Sequence, residues 1–112
     1  TYIYRPGLAV YNVTGLSSAS AFSTASDNSG SDLTCSSAGT EGAVGIGIFF
    51  RKDSLPGTIN FTGFATSSND TSYSQGGTQW RAGHGTLTST GTKTMQSTAG
   101  ATNACAVMGI FR

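Results

Sequence analysis

Short apolar runs, bounded by Gly, Ser, Asn or Asp, recur along this chain at intervals of about ten residues, the spacing of a β-sandwich or barrel. The clearest lies at residues 43–51, AVGIGIFFR. There Val44, Ile46, Ile48 and Phe50 fall on one face of a strand, and Gly45, Gly47 and Phe49 on the other. Two glycines on one face predict close approach by another backbone or by a bulky neighbour. Residues 105–111 alternate in the same way, with Cys105, Val107, Gly109 and Phe111 opposite Ala106, Met108 and Ile110. Residues 8–14 also alternate and predict a strand, as do residues 58–65 with Ile59 and Phe61.

Weaker strands are predicted at residues 20–25, around Phe22, at 33–36, and at 78–81, which hold the single Trp. Residues 85–95 are rich in Thr and alternate in a mostly polar way, which predicts a strand with a solvent-facing side or an edge. Residues 66–75 are polar and predict a long loop or an edge strand. Turns are expected at residues 27–32, DNSGSD, and 52–57, KDSLPG. The sum is an all-β chain: an antiparallel β-sandwich of about eight strands, jelly-roll-like. A seven-stranded immunoglobulin-like sandwich is the neighbouring choice, but Trp80 lies too far beyond Cys35 for that fold. Residues 1–7 read as an arm or edge strand, and residues 8–112 as a single domain.

Composition sharpens this picture by what is missing. Of 112 residues only 10% are charged, there is one His, and Gly accounts for 16 positions. The residues that clothe soluble helices are scarce. Acid–base catalysis needs titratable groups that can be gathered and tuned, and few are present. The six basic residues are scattered rather than striped, which argues against nucleic acid as a partner. No stretch approaches the run of about 18–20 apolar residues that spans a bilayer, and no charged-then-apolar leader opens the sequence. A net charge of +1 gives little self-repulsion. With a small core, that favours a homo-oligomer.

The candidate chemistry is correspondingly thin. His84 sits in Ala-Gly-His-Gly, a turn-like context, with no carboxylate or nucleophile near it in sequence. Asp27, Asp32, Glu41, Asp53 and Asp70 show no spacing that pairs two of them as a glycosidase requires. Residues 27–32 resemble a calcium loop only distantly, lacking the further acids and terminal Glu. No cofactor or metal is called for. Cys35 and Cys105 are either buried thiols or, alternatively, a disulfide from an early segment to the last strand. Asn69, Tyr73, Gln79 and Trp80 lie close enough in sequence to form a sugar platform, an aromatic face with amides beside it. Asn12, Asn60 and Asn69 open Asn-x-Thr triplets, two of them inside predicted strands, a poor setting for a glycan. Tyr2, Ile3, Tyr4 and Arg5 are residue types enriched where proteins meet, and they either pair with their own domain or reach a partner.

The short strands dominated by Gly, Ala, Ser and Thr, the run at 42–51 and the closing stretch 85–112 ending in ACAVMGIFR together resemble small structural proteins of tailed bacteriophages. These are capsid decoration (cement) proteins and, less closely, β-sandwich pieces of tails and fibres. The resemblance implies a non-enzymatic jelly-roll protein of the virion, a trimer assembled in the host cytoplasm and placed on the capsid surface. Its partner would be the major capsid protein, and the arm Tyr2–Arg5 would have a contact to make. A carbohydrate-binding module and a pilus or fibre subunit are the alternatives.

Overall fold

A computed structural model describes residues 9–18, 20–29, 32–52, 54–74, 77–98 and 103–112. Among them are eight strands: β1 (Ser23–Asp27), β2 (Leu33–Gly39), β3 (Val44–Lys52), β4 (Asn60–Thr62), β5 (Thr66–Tyr73), β6 (Thr78–Thr86), β7 (Gly91–Ser97) and β8 (Ala104–Phe111). They form a five-stranded sheet in the order β1-β8-β3-β6-β5 and a three-stranded sheet in the order β2-β7-β4. Every pairing is antiparallel. Each connection passes from one sheet to the other except β5–β6, which stays within the larger sheet. The fold is the all-β antiparallel sandwich of eight strands that the sequence predicts.

The core lies between the sheets. Leu33, Cys35, Phe49, Ile59, Met95, Ala106, Met108 and Ile110 are buried there, with Phe61 and Phe64 packed against them. The inward side of β3 and β6 is a patch of glycine, since Gly45 stands opposite Gly85 and Gly47 opposite Gly83. The missing side chains make room for large ones from elsewhere. A Cβ on Gly45 or Gly85 would lie 2.7 or 2.5 Å from the Phe64 ring, and one on Gly47 would lie 2.5 Å from the Met95 sulfur. The paired glycines thus set how closely the sheets approach, as the run at 43–51 foretells.

Two sequence expectations need correction, and a third, left between loop and edge strand, resolves as the strand. Residues 9–14 lie in no ladder, although the burial of their side chains alternates. Residues 85–95 are two strands, not one: β6 ends at Thr86 and β7 starts at Gly91. The polar stretch after residue 65 is a full edge strand, β5, whose register on β6 shifts by a bulge between Asn69 and Thr71. The turn after β1 is as expected. The Asp27 carboxylate accepts from the backbone N–H groups of Ser29 (2.8 Å) and Thr34 (2.7 Å). Those bonds, the one from Thr34 first, hold its pKa below the usual carboxylate range, and they occupy oxygens that a calcium ion would need.

Candidate functional site

The two outer faces of the sandwich differ in kind. On the three-stranded sheet the outward positions are Thr34, Ser36 and Ala38 of β2, Asn60 and Thr62 of β4, and Thr92, Thr94 and Gln96 of β7. All but Ala38 carry a hydroxyl or an amide, and the face is built for water. On the five-stranded sheet the outward positions of β3 are Val44, Ile46, Ile48 and Phe50. Beside them stand Val107, Gly109 and Phe111 of β8 and Trp80 and Ala82 of β6. Val107 is 50% exposed, and Phe22, just before β1, is 40% exposed. Val44, Ile46, Ile48, Phe50 and Phe111 are half-buried, and Trp80 and Ala82 are buried.

Residues 9–16 run across part of this face. Ala9 and Tyr11 border a depression shared with Ile46, Ile48, Val107 and Phe111. Further along, Val13 and Leu16 lie with Val44 and Leu87 around a cleft of about 520 Å³. The segment is fastened at its far end by the Ser17 and Ser18 N–H groups, which donate to the Arg112 carbonyl at 2.8 and 3.2 Å. The Arg112 guanidinium in turn sits 4.1 Å from the centre of the Phe22 ring, a cation–π contact.

Its near end is held by three side chains from three parts of the chain. The Tyr11 hydroxyl donates to Asp70 Oδ2 at 2.9 Å, and His84 Nδ1 lies 2.7 Å from the same oxygen. The Tyr11 and His84 rings meet edge to face at 6.1 Å. Burial works against ionisation of Asp70, but hydrogen bonds from His84, Ser68 and Tyr11 outweigh it and hold the carboxyl below its ordinary value of 3.8. Burial, reinforced by the Asp70 bond and charge, raises the Tyr11 phenol and keeps it a donor. The trio ties residues 9–16 to β5 and β6. The β5–β6 register alone sets this cluster: Ser68 stands directly opposite His84, and the bulge follows at once.

Two outcomes follow. Tyr11→Phe removes one bond to a charged acceptor and is expected to cost about 1.5 kcal/mol in thermal unfolding. A carboxyl whose pKa is lowered on folding stabilises fully above its unfolded value, and loses that effect as pH falls through its folded value. Amide protection of residues 9–16, corrected for intrinsic exchange, should therefore decline as pH falls below the ordinary carboxyl value of 3.8, and Asp70→Asn should flatten the decline.

The other candidate residues are dispersed. Tyr2, Ile3, Tyr4 and Arg5 lie outside the described residues. Of the four residues of the sugar platform, the structure brings Tyr73 and Trp80 together. Asn69 is consumed by Ile59, accepting from its N–H (2.8 Å) and donating to its carbonyl (3.0 Å). Trp80 is 8% exposed and stacked against Tyr73 at 6.5 Å, which leaves little of its face for a pyranose. Gln79 accepts from the Ser74 hydroxyl at 3.2 Å. The disulfide alternative is also corrected, because both thiols are free. Cys35 points into the core from β2, whereas Cys105 is exposed and stands opposite Phe50 on the outer side of the larger sheet. Burial first, then the Asp27 charge, pushes the Cys35 thiol up to about 11. Iodoacetamide at neutral pH should leave Cys35 unmodified in the folded chain and label it on unfolding, which peptide mass analysis reads directly.

No family model matches the chain, and neither a curated protein nor a solved structure matches it.

Proposed function

We propose that this chain is a non-enzymatic structural protein of a virus particle, a capsid decoration protein that stabilises the shell through protein–protein contacts. One observation carries the reading: the sandwich presents an apolar strip on β3 and β8, with Val107 half exposed, and a hydroxyl-covered face on β2, β4 and β7. A subunit on a shell needs one side for contact and one for solvent. It needs buried interface rather than ionisable groups, and only 10% of its residues are charged. Binding only the assembled state, such a domain stabilises that state by mass action. In this reading the chain is a homo-oligomer, trimeric by resemblance, and its partner is the major capsid protein.

The test is made on particles purified from the chain's own source. The protein should be present in fixed ratio to the major shell protein, and stripping it should lower the temperature at which the shell opens. Its absence from purified particles, with recovery as a free protein, would refute the reading.

A further inference from the structure

We propose that the outer face of the five-stranded sheet is the surface through which copies of this chain associate, with Ile48, Phe50 and Val107 at its centre. The inference deepens the structural reading above and rests on it for the expectation that the chain works in an assembly.

The apolar part is the strip of β3 and β8, rimmed by hydroxyls on the outward positions of β1 (Thr24, Ser26) and β5 (Thr66, Ser68, Thr71), the arrangement of an apolar interface centre with a polar border. The covering segment adds apolar surface of its own, since Val10 is 81% exposed beside Tyr11.

Charge points to a second copy as the occupant. Among the described residues the face carries Asp70, His84, Arg112 and, at the end of β3, Lys52. Asp70 is bonded to His84, and Arg112 lies over Phe22 at one corner. The strip formed by Ile48, Phe50, Cys105, Val107 and Gly109 has no charge at all. Such a surface has nothing with which to select a charged partner. It is its own complement, because pressing two copies together neither strands a buried charge nor opposes like charges. Supply points the same way: an apolar strip invites aggregation while uncovered, and identical chains are present together from synthesis onward.

The experiment is sedimentation velocity on the full chain from about 5 to 200 μM, a range that spans weak and firm self-association. The wild-type chain should sediment as a defined multimer. Val107→Glu and Ile48→Glu should each shift association to at least about tenfold higher concentration, as the loss of a central contact does. Thr94→Glu, on the polar sheet, should leave association unchanged. Val107 is half exposed, so its variant should keep the wild-type circular dichroism spectrum. Alkylation of Cys105 in the unaltered protein gives a second reading and should slow as concentration rises.

Three results would overturn the proposal. The first is a wild-type monomer across the range with Cys105 equally reactive throughout. The second is a multimer that Val107→Glu and Ile48→Glu leave untouched. The third is a monomer that becomes multimeric when residues 1–8 are deleted, which would assign the face to the chain's own first residues. A multimer that never joins particles would preserve this inference and refute the decoration reading. A monomer bound to particles would do the reverse.

Discussion

Replacing Phe49 by alanine is expected to lower the unfolding free energy by about 4 kcal/mol. Phe49 is the largest side chain with no solvent exposure, and it enters the core from the centre of the middle strand. Its ring lies beside Gly47, where a Cβ would come within 3.3 Å of it. β3 is bonded on both sides, to β6 and β8, so the backbone around the site cannot sink into the space left behind. A cavity that cannot collapse forfeits both transfer and packing energy. Domains of this kind hold about 5–15 kcal/mol in all, so the variant should unfold at far lower urea concentration with an unchanged slope. A loss under about 1 kcal/mol would mean that the ring is not in the core.

Gly83→Ala should be nearly as costly, about 3 kcal/mol, although it adds a single methyl group. A Cβ there would sit 2.5 Å from the Ser68 carbonyl oxygen, 3.0 Å from Phe61 and 3.2 Å from Ile59. The carbonyl belongs to β5 and cannot retreat without opening the β5–β6 ladder beside the Asp70–His84 pair. Gly47→Ala is the informative comparison. Its added methyl also comes within 2.5 Å of an atom, but that atom is the Met95 sulfur, on a side chain that can turn away. Gly47→Ala should therefore cost about 1 kcal/mol. Equal losses at the two sites would show that side-chain adaptation, not backbone contact, governs this patch.

Strands with a strong apolar alternation were legible from the residues themselves. β3 and β8 fall within a residue or so of the alternating runs at 43–51 and 105–111. The alternation at residues 8–14 misleads for a definite reason. Over its described part the segment is extended on an apolar sheet face, so Tyr11 and Val13 turn toward it while Val10 and Asn12 turn to solvent. Period-two burial reports a half-covered chain, and a ladder is a separate matter. β6 hides its identity differently. Ala-Gly-His-Gly looks like a turn, yet its glycines are there to admit Phe61, Phe64 and Ile59. Those partners lie some twenty residues away and become neighbours only once the sheets stack.

The Tyr11–Asp70–His84 cluster was illegible for a related reason. Its members come from an unpaired segment, a bulge and a strand interior, and no spacing rule joins them. The face on which it sits was legible in part. Val44, Ile46, Ile48 and Phe50 share a side in any strand reading, but that this side faces outward follows from the glycines opposite filling with Met95 and Phe64.

The irregularity between Asn69 and Thr71 has a further consequence at the margin of the larger sheet. β5 ends that sheet on one side, and the five-residue β1 ends it on the other. A straight margin would template unlimited growth, one molecule's backbone hydrogen-bonding to the next in an amyloid-like stack. The kinked margin breaks the row of donors and acceptors that an incoming backbone would have to match, and the opposite margin is short. Lateral recruitment by backbone hydrogen bonding is thereby discouraged at both margins.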